Sequence, residues 1–252
     1  MSRLAEIVWD TGEMTLVEHL RELRQRLLVC VVTVGICALG LFGPAPWIIH
    51  TLVAWYFPGI TLHAFGPTDV IGAEFRFALF GGIVLSFPVI LYQIWMFAVP
   101  AIHPKTRRRV YAYLVPTFLL AVVGIWFCHA LILPRVVSAL LNMTSAIAEA
   151  TFGIGPTLNL ILILFFAFAV IFQTPVVLLA CARVGLVQVE GLRRARRYAL
   201  MGMLIVGGIA APDGSPLTML MLAVPMYVLY ELSIAVIAVL SKTWSKEGTK
   251  TE

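Results

Sequence analysis

The sequence predicts an all-α integral membrane protein, a bent and concave bundle of six transmembrane helices with both termini in the cytoplasm. Of its 252 residues, 61% are apolar and only 12% are charged, and the mean hydropathy is +0.97. A soluble domain of this size carries about a quarter charged residues, because its surface must be solvated. This composition also excludes disordered, collagen-like and small disulfide-bonded proteins.

Long uncharged runs locate the spans. About 20 apolar residues, rising 1.5 Å each, are needed to cross about 30 Å of hydrocarbon. Five runs approach or exceed that length, at 27–42, 77–102, 110–134, 157–182 and 217–240. A sixth run, 198–211, is short and covers only about 21 Å. If it crosses a locally thinned membrane, there are six spans with a short fifth and sixth; if it does not, the loops before and after it share one side.

The basic residues predict the orientation. With six spans, 16 of the 18 lysines and arginines fall on one side, and only Arg76 and Arg135 fall toward the other. The positive-inside rule therefore places both termini in the cytoplasm, and the basic excess indicates contact with anionic lipid heads, not nucleic acid. We divide the chain into a polar tail at 1–14, one membrane domain at 15–241 and a cytoplasmic tail at 242–252.

The segment 15–27 predicts an amphipathic helix that leads into the first span. Thr15 and Glu18 have the spacing of a capping box, and the leucines are spaced by four, three and four residues. Glu18, Glu22 and Arg26 follow one another at four-residue steps along the polar face. Two interpretations are open: a solvated interfacial helix with internal ion pairs, or a carboxylate that Glu22 offers at the membrane surface.

Aromatic and polar residues gather where the second run ends. Gln93, Trp95 and Phe97 lie between Pro88 and Pro100. An interfacial aromatic belt explains most of this cluster, because tryptophan and tyrosine favour that depth. The flanking prolines suggest a more specific role.

Polar residues also interrupt other runs. Gln173 lies where an unpartnered polar group is costly, so we expect either a bond between helices of this chain or a contact with a partner helix. Glu231 in the last span is expected to pair with an arginine or lysine of the same bundle. Near the start of the second span, ion pairing among Asp69, Glu74 and Arg76 is favoured over catalysis, because no nucleophile and base lie together.

Enzymatic and cofactor chemistry is not predicted. The four cysteines and the histidines lack the spacing of metal ligands, and no phosphate-binding loop of the GxxxxGK[ST] type occurs. A proton-coupled small-solute transporter is the alternative function. That class predicts several charges at mid-membrane, and here only Glu231 and the neutral Gln173 qualify.

Five motifs carry a resemblance to a known family. They are HLRELRQRL at 19–27, PVILYQIWMF at 88–97 with Pro100, Phe168 with FQTPV at 172–176, Pro212 with Asp213, and PMYVLYE at 225–231. In this order the sequence resembles the TatC family, the multi-spanning receptor subunits of the twin-arginine protein translocase, from about residue 15 to 240. Each motif alone is weak, whereas the ordered set is highly specific.

The resemblance implies a function, a location and partners. It implies a receptor in the bacterial cytoplasmic membrane for folded proteins whose signal peptides bear paired arginines. The receptor would work with single-span TatA and TatB family subunits and with other copies of itself, driven by the proton-motive force. A pair of arginines is repelled by a basic surface, so recognition needs a local carboxylate.

The resemblance also implies site residues. Glu22 matches the family position that supplies the carboxylate and Phe97 matches a position of the recognition surface; with Arg24 and Glu18 they are the candidate signal-peptide-binding residues. Gln173, Phe172 and Pro175 are the candidates for contact with a partner helix. Polar residues with a structural or functional role are Asp213, which matches a functional family position, Glu231, Asp69 and Arg76.

Three positions depart from the family pattern. Thr106 stands where a second acidic residue is usual, so the receptor should depend more strongly on Glu22. Gln173 stands where a glutamate is common, and an amide cannot titrate, so a proton relay at this position is not expected. Arg76 occupies a position commonly held by lysine.

Overall fold

The computed structural model describes residues 16–98, 107–145, 151–183, 185–211 and 214–248, and these ranges are almost entirely helical. Their helices are α1 (Leu16–Phe42), α2 (Ala45–Tyr56), α3 (Asp69–Ala98), α4 (Arg107–Phe127), α5 (Leu133–Ser145), α6 (Ile154–Ile171), α7 (Thr174–Arg183), α8 (Val189–Ala210) and α9 (Pro216–Gly248). A π-helical turn, Cys128–Ile132, joins α4 to α5. Two short strands, β1 (Leu62–His63) and β2 (Phe152–Gly153), pair in parallel. The all-helical fold class is confirmed.

Five stretches are long and apolar enough to cross a membrane. They are His19–Phe42, Asp69–Phe97, Val115–Met143, Ile154–Arg183 and Thr218–Ser241. Each overlaps one of the five long runs in the sequence. The short run lies in α8, a 22-residue helix whose first half is rich in arginine. The sixth crossing and the orientation of the termini stay predictions.

The last helix is longer than expected. α9 has 33 residues, and the candidate span within it, Thr218–Ser241, has 24, so the prediction of a short final span is wrong. Pro225 lies inside this helix without ending it, and between Pro225 and Gly248 no glycine or proline interrupts the backbone. The helix therefore continues past the apolar run and past residue 241, where we placed the domain boundary. The predicted tail at 1–14 lies outside the described residues.

Two of the spans are interrupted along their length. The third span changes its hydrogen-bonding pattern at the π-helical turn between α4 and α5. The fourth span breaks at Phe172 and Gln173, between α6 and α7. Pro175 is the second residue of α7, where its missing N–H group costs nothing because that donor would have no partner within the helix. At both interruptions the regular α-helical hydrogen bonding of the backbone changes, and both contain buried residues.

The main core lies between α4–α5, α6 and α9. Phe168, Leu133, Leu164 and Leu222 are almost completely buried there. By contrast, α1 packs along one side against α3 and leaves much of its remaining surface, such as the side chain of Leu39, exposed. Such broad apolar exposure is incompatible with a water-soluble monomer, so it fits a helix that faces lipid.

The contact between α1 and α3 is unusually close. A Cβ atom added to Gly82 would lie 2.8 Å from the backbone nitrogen of Ala38. Real Cβ atoms do not approach a backbone atom so closely, so glycine is required for this backbone-to-backbone packing. The pairing holds the beginning of α1 beside the end of α3, where several predicted site residues lie.

Candidate functional site

An ion pair on α1 connects to α3. Arg26 donates from Nε to Oε1 of Glu22 at 3.0 Å, and its Nη2 donates to the same oxygen. The Arg26 Nη1 atom donates to Oε1 of Gln93 on α3 at 3.3 Å. The side chains of Glu22 and Arg26 are 21% and 18% exposed, so the pair is largely covered. This network fixes the position of the Glu22 carboxylate relative to α3.

The second oxygen of the same carboxylate is not used. Oε2 of Glu22 is buried and has no hydrogen-bond partner among the described residues. A buried polar atom without a partner costs about 1–3 kcal/mol. Glu22 is therefore an acceptor with one oxygen held by its own chain and a second, buried oxygen whose hydrogen-bonding capacity is unused.

A ring stack lies next to the ion pair. His19 on α1 and Phe97 on α3 are stacked, with their ring centroids 4.3 Å apart and their planes at 19°. His19 precedes Glu22 by one helical turn and Phe97 follows Gln93 by one turn, so the two contacts are neighbours. We refer to His19, Glu22, Arg26, Gln93 and Phe97 together as the Glu22 cluster.

The structure thus brings together two of the four predicted signal-binding residues, Glu22 and Phe97. Arg24 is exposed, and it lies on a different face because residues two apart on a helix do not face the same way. The backbone of Glu18 belongs to α1, but its side chain lies outside the described part of the structure, as do Pro100 and Thr106.

Sequence reasoning did not assign a site role to three members of the cluster. His19 and Arg26 share a face with Glu22 because they lie three residues before it and four residues after it. Gln93 and Phe97 have the same four-residue relation on α3. The spacing was visible in the sequence, but the pairing of the two helices was not.

Gln173 is buried at the break between α6 and α7. Its Nε2 atom lies 3.3 Å from the carbonyl oxygens of Thr117 on α4 and Ala169 on α6, and donates to both. Its Oε1 atom is buried without a partner among the described residues. The amide therefore bonds between helices of this chain, which was one of the two interpretations of the sequence.

Phe172 and Pro175 surround this break. Phe172 is 7% exposed and packs with Phe127 and Phe168. Gly124 allows the approach, because a Cβ atom there would lie 2.7 Å from the carbonyl oxygen of Phe168. Phe172 also contributes to an apolar groove of about 600 Å³ between α4–α5 and α9. Pro175 is half-buried.

Glu231 is paired within the bundle. Its Oε2 accepts a hydrogen bond from Nη2 of Arg196 on α8 at 2.7 Å, and its Oε1 accepts one from the Tyr227 hydroxyl at 3.0 Å. The basic partner expected from the sequence is thus Arg196. The side chains of Arg196 and Glu231 are 47% and 32% exposed, so the pair contributes little to stability, about 0–1 kcal/mol.

Asp69 and Arg76 do not form the ion pair that we predicted. Oδ2 of Asp69 accepts the backbone N–H groups of Phe65 and Gly66, both at 2.8 Å, and so closes the turn before α3. Arg76 lies about two helical turns further along α3, and its Nη1 atom is beside Gly155 on α6. Asp213 lies outside the described residues. Within the described ranges, no group of three or more His, Cys, Asp or Glu residues could hold a metal.

Comparison with known proteins identifies the family. The model of the Sec-independent protein translocase protein TatC matches residues 18–225, which is most of the chain. The chain belongs to the TatC family. It is a membrane-spanning translocase subunit. All five motifs that carried the resemblance begin within the matched range, and the last of them extends a few residues beyond it.

Individual TatC family members agree over nearly the whole length. The chain is 33% identical to a TatC protein of Listeria innocua over 236 residues, covering 93% of this chain and 95% of that one. It is 32% identical to TatC of Escherichia coli K12, covering 87% and 86%. A crystal structure described as the twin-arginine translocase receptor TatC in the detergent DDM superimposes with a TM-score of 0.79 at 29% identity, covering 86% of this chain and 98% of that one.

Proposed function

We propose that this chain is the core receptor of a twin-arginine translocase in a bacterial cytoplasmic membrane. It binds the twin-arginine signal peptides of folded proteins at the Glu22 cluster, which faces the cytoplasm. It assembles with single-span TatA and TatB family subunits and with other copies of itself, and transport is driven by the proton-motive force. The observation that supports signal binding most directly is the unpartnered Oε2 atom of Glu22.

The geometry suggests how a guanidinium group binds. Arg26 already occupies Oε1 of Glu22, so a signal arginine donates to Oε2, which must be uncovered when the signal binds. Phe97 and His19 place a stacked aromatic surface one turn away, against which a planar guanidinium can pack. The hydrogen bond to Gln93 holds the Arg26 side chain in place. Arg26 therefore acts as a positioning residue for the Glu22 carboxylate and leaves Oε2 of Glu22 for the signal.

The carboxylate does not supply the whole affinity. A hydrogen bond to a charged group contributes about 1.5–3 kcal/mol, whereas a micromolar site needs about 8 kcal/mol. The apolar part of the signal must supply the remainder by contact with exposed side chains such as Leu23 and Leu27 on α1. Burial contributes about 25 cal/mol per Å² removed from water, and less where lipid is exchanged for protein.

Photo-crosslinking tests signal binding directly. We expect a photoreactive amino acid at Ile94, which is exposed beside Gln93, to crosslink to a twin-arginine precursor in inverted membrane vesicles. A precursor whose arginine pair is changed to lysines should crosslink much less, because lysine lacks the planar fork that matches a carboxylate. The matched control is Phe65, exposed before the start of α3, which should give no adduct. Equal crosslinking at both positions, or equal crosslinking of both precursors, would contradict the proposal.

The groove that Phe172 lines supports a contact with a partner helix. It runs between Phe127 on α4 and Val224, Pro225 and Val228 on α9, and its lining is almost entirely apolar. Val224 and Val228 are 57% and 59% exposed. A single apolar helix can pack there by van der Waals contact. Because Gln173 cannot titrate, coupling to protons would use other groups.

Disulfide mapping tests this contact. The four native cysteines are replaced by alanine, and one cysteine is introduced at Val224 while another is scanned along the span of a TatA or TatB subunit. We expect adducts in one narrow register. A cysteine at Ile36, which is exposed on α1 outside the groove, serves as the control. If Val224 gives no adduct, or if Ile36 reacts as strongly, the groove is not the partner site.

A further inference from the structure

A large cleft lies at the end of the bundle opposite the Glu22 cluster. It has a volume of about 960 Å³ and opens between the end of α1 and the beginnings of α3 and α6. Its lining is mixed. The apolar side chains are Phe42, Ile71 and Phe75, and the polar ones include Thr68, Asp69, Arg76 and Asn159. We refer to it as the Arg76 cleft. Its size is that of a site for an organic ligand, since such pockets measure about 300–1,000 Å³.

Arg76 has no bonded partner in this cleft. The side chain is exposed and has no hydrogen bond or ion pair with any of the described residues. It lies seven residues into α3, within the stretch Asp69–Phe97 that can cross a membrane, about 10 Å from the start of the helix. An arginine near the end of a span extends its charged group toward the membrane interface. Arg76 therefore favours an anionic partner at that interface.

The surroundings of Arg76 strengthen that requirement. A Cβ atom on Gly155 would lie 3.4 Å from Nη1 of Arg76, so the guanidinium group lies beside the first turn of α6. That turn contains no acidic residue, and its N-cap residue, Gly153, provides no side-chain hydrogen bond. The beginning of a helix carries partial positive charge, so it cannot neutralise an arginine.

The neighbouring carboxylates form no ion pair with Arg76 either. Oδ2 of Asp69 is engaged by two backbone N–H groups in the turn before α3. Glu74 is two residues from Arg76 and so faces a different side of the helix. The guanidinium group of Arg76 is therefore available to a ligand that carries a negative charge.

The apolar lining of the cleft indicates which class of anion fits. Phe42, Ile71 and Phe75 are 44%, 63% and 61% exposed, and all three lie in stretches able to span a membrane. A free inorganic anion would leave these side chains without a contact, whereas a lipid would cover them with its acyl chains. We propose that the Arg76 cleft binds a phospholipid, with the headgroup phosphate against Arg76 and Asn159 and the acyl chains along Phe42, Ile71 and Phe75.

Native mass spectrometry of the detergent-purified full chain tests the proposal. Phosphatidylglycerol is titrated against the wild type, Arg76→Gln and Arg135→Gln. We expect Arg76→Gln to weaken binding of the tightest lipid about tenfold, as for the loss of a hydrogen bond to a charged group. Arg135→Gln is the matched control, because Arg135 is exposed outside the cleft and donates to the carbonyl oxygen of Leu131. This control should bind the lipid as the wild type does.

Two further arms make the result decisive. Inorganic phosphate alone is titrated in parallel. If Arg76→Gln weakens the binding of phosphate but not the binding of the lipid, the proposal is overturned. Equal lipid binding by the wild type and Arg76→Gln would also overturn it. If Arg76→Gln fails to fold by thermal melting, Asn159→Leu, which removes a polar contact without changing the charge, takes its place. If Asn159→Leu bound the lipid as tightly as the wild type does, that result would also contradict the proposal.

Discussion

Replacing Glu22 by glutamine is expected to weaken the binding of a twin-arginine signal peptide by about ten- to a hundredfold. The physical reason is the loss of charge from the only cluster oxygen that lacks a partner among the described residues, Oε2 of Glu22. A hydrogen bond to a charged group contributes about 1.5–3 kcal/mol, and each 1.4 kcal/mol corresponds to a factor of ten. Glutamine retains the size of the side chain and can still accept from Arg26, so the helix contact should persist.

Affinity is measured with a fluorescent signal peptide and the purified full chain, and export is measured in cells. Glu190→Gln is the matched control, because it also removes one exposed carboxylate, in the first turn of α8 and outside the Glu22 cluster. Glu190→Gln should leave the affinity unchanged. Wild-type affinity and normal export in Glu22→Gln would show that this carboxylate does not recognise the signal.

Replacing Gly82 by valine is expected to lower both the stability of the chain and its affinity for signal peptides. The Cβ atom alone would lie 2.8 Å from the backbone nitrogen of Ala38, so α1 must move away from α3. Overpacking of this kind typically costs about 1–3 kcal/mol. Gly82 is eleven residues before Gln93, about 16 Å along α3, and a shift of α1 would also separate Arg26 from Gln93.

Thermal unfolding in detergent and signal binding are measured on the same preparations. Gly35→Val provides the control on the partner helix, since a Cβ atom at Gly35 would meet nothing within 4 Å. Gly35→Val should melt and bind nearly as the wild type does. If Gly82→Val melts normally, the close packing of α1 on α3 is wrong. If it melts early but binds normally, the Glu22 cluster does not depend on that packing.

The candidate site shows how far sequence reasoning reached. Glu22 and Phe97 were selected by resemblance to the TatC family. Each was also visible in the sequence, Glu22 as a carboxylate just before the first apolar run and Phe97 as an aromatic residue near the end of the second. The role of Gln93 was not visible, because its contact with Arg26 joins residues 67 positions apart. The ion pair expected between Asp69 and Arg76 was wrong, because local backbone N–H groups compete for the aspartate and helical spacing separates the two side chains.

The sequence by itself determined that the protein is helical, that it resides in a membrane and where five of its spans lie. These properties follow from composition and from runs of apolar residues, because backbone in hydrocarbon must be hydrogen-bonded within the protein, and a helix achieves this within a single apolar segment. Only the tertiary structure decided that Arg26 holds one oxygen of Glu22, that Gln173 bonds to α4 and that Arg76 stands unpaired in a cleft. Such pairings depend on the register and the distance between helices that are far apart in sequence. At Gly82 and Gly124 these helices pack so closely that even one added Cβ atom would not fit.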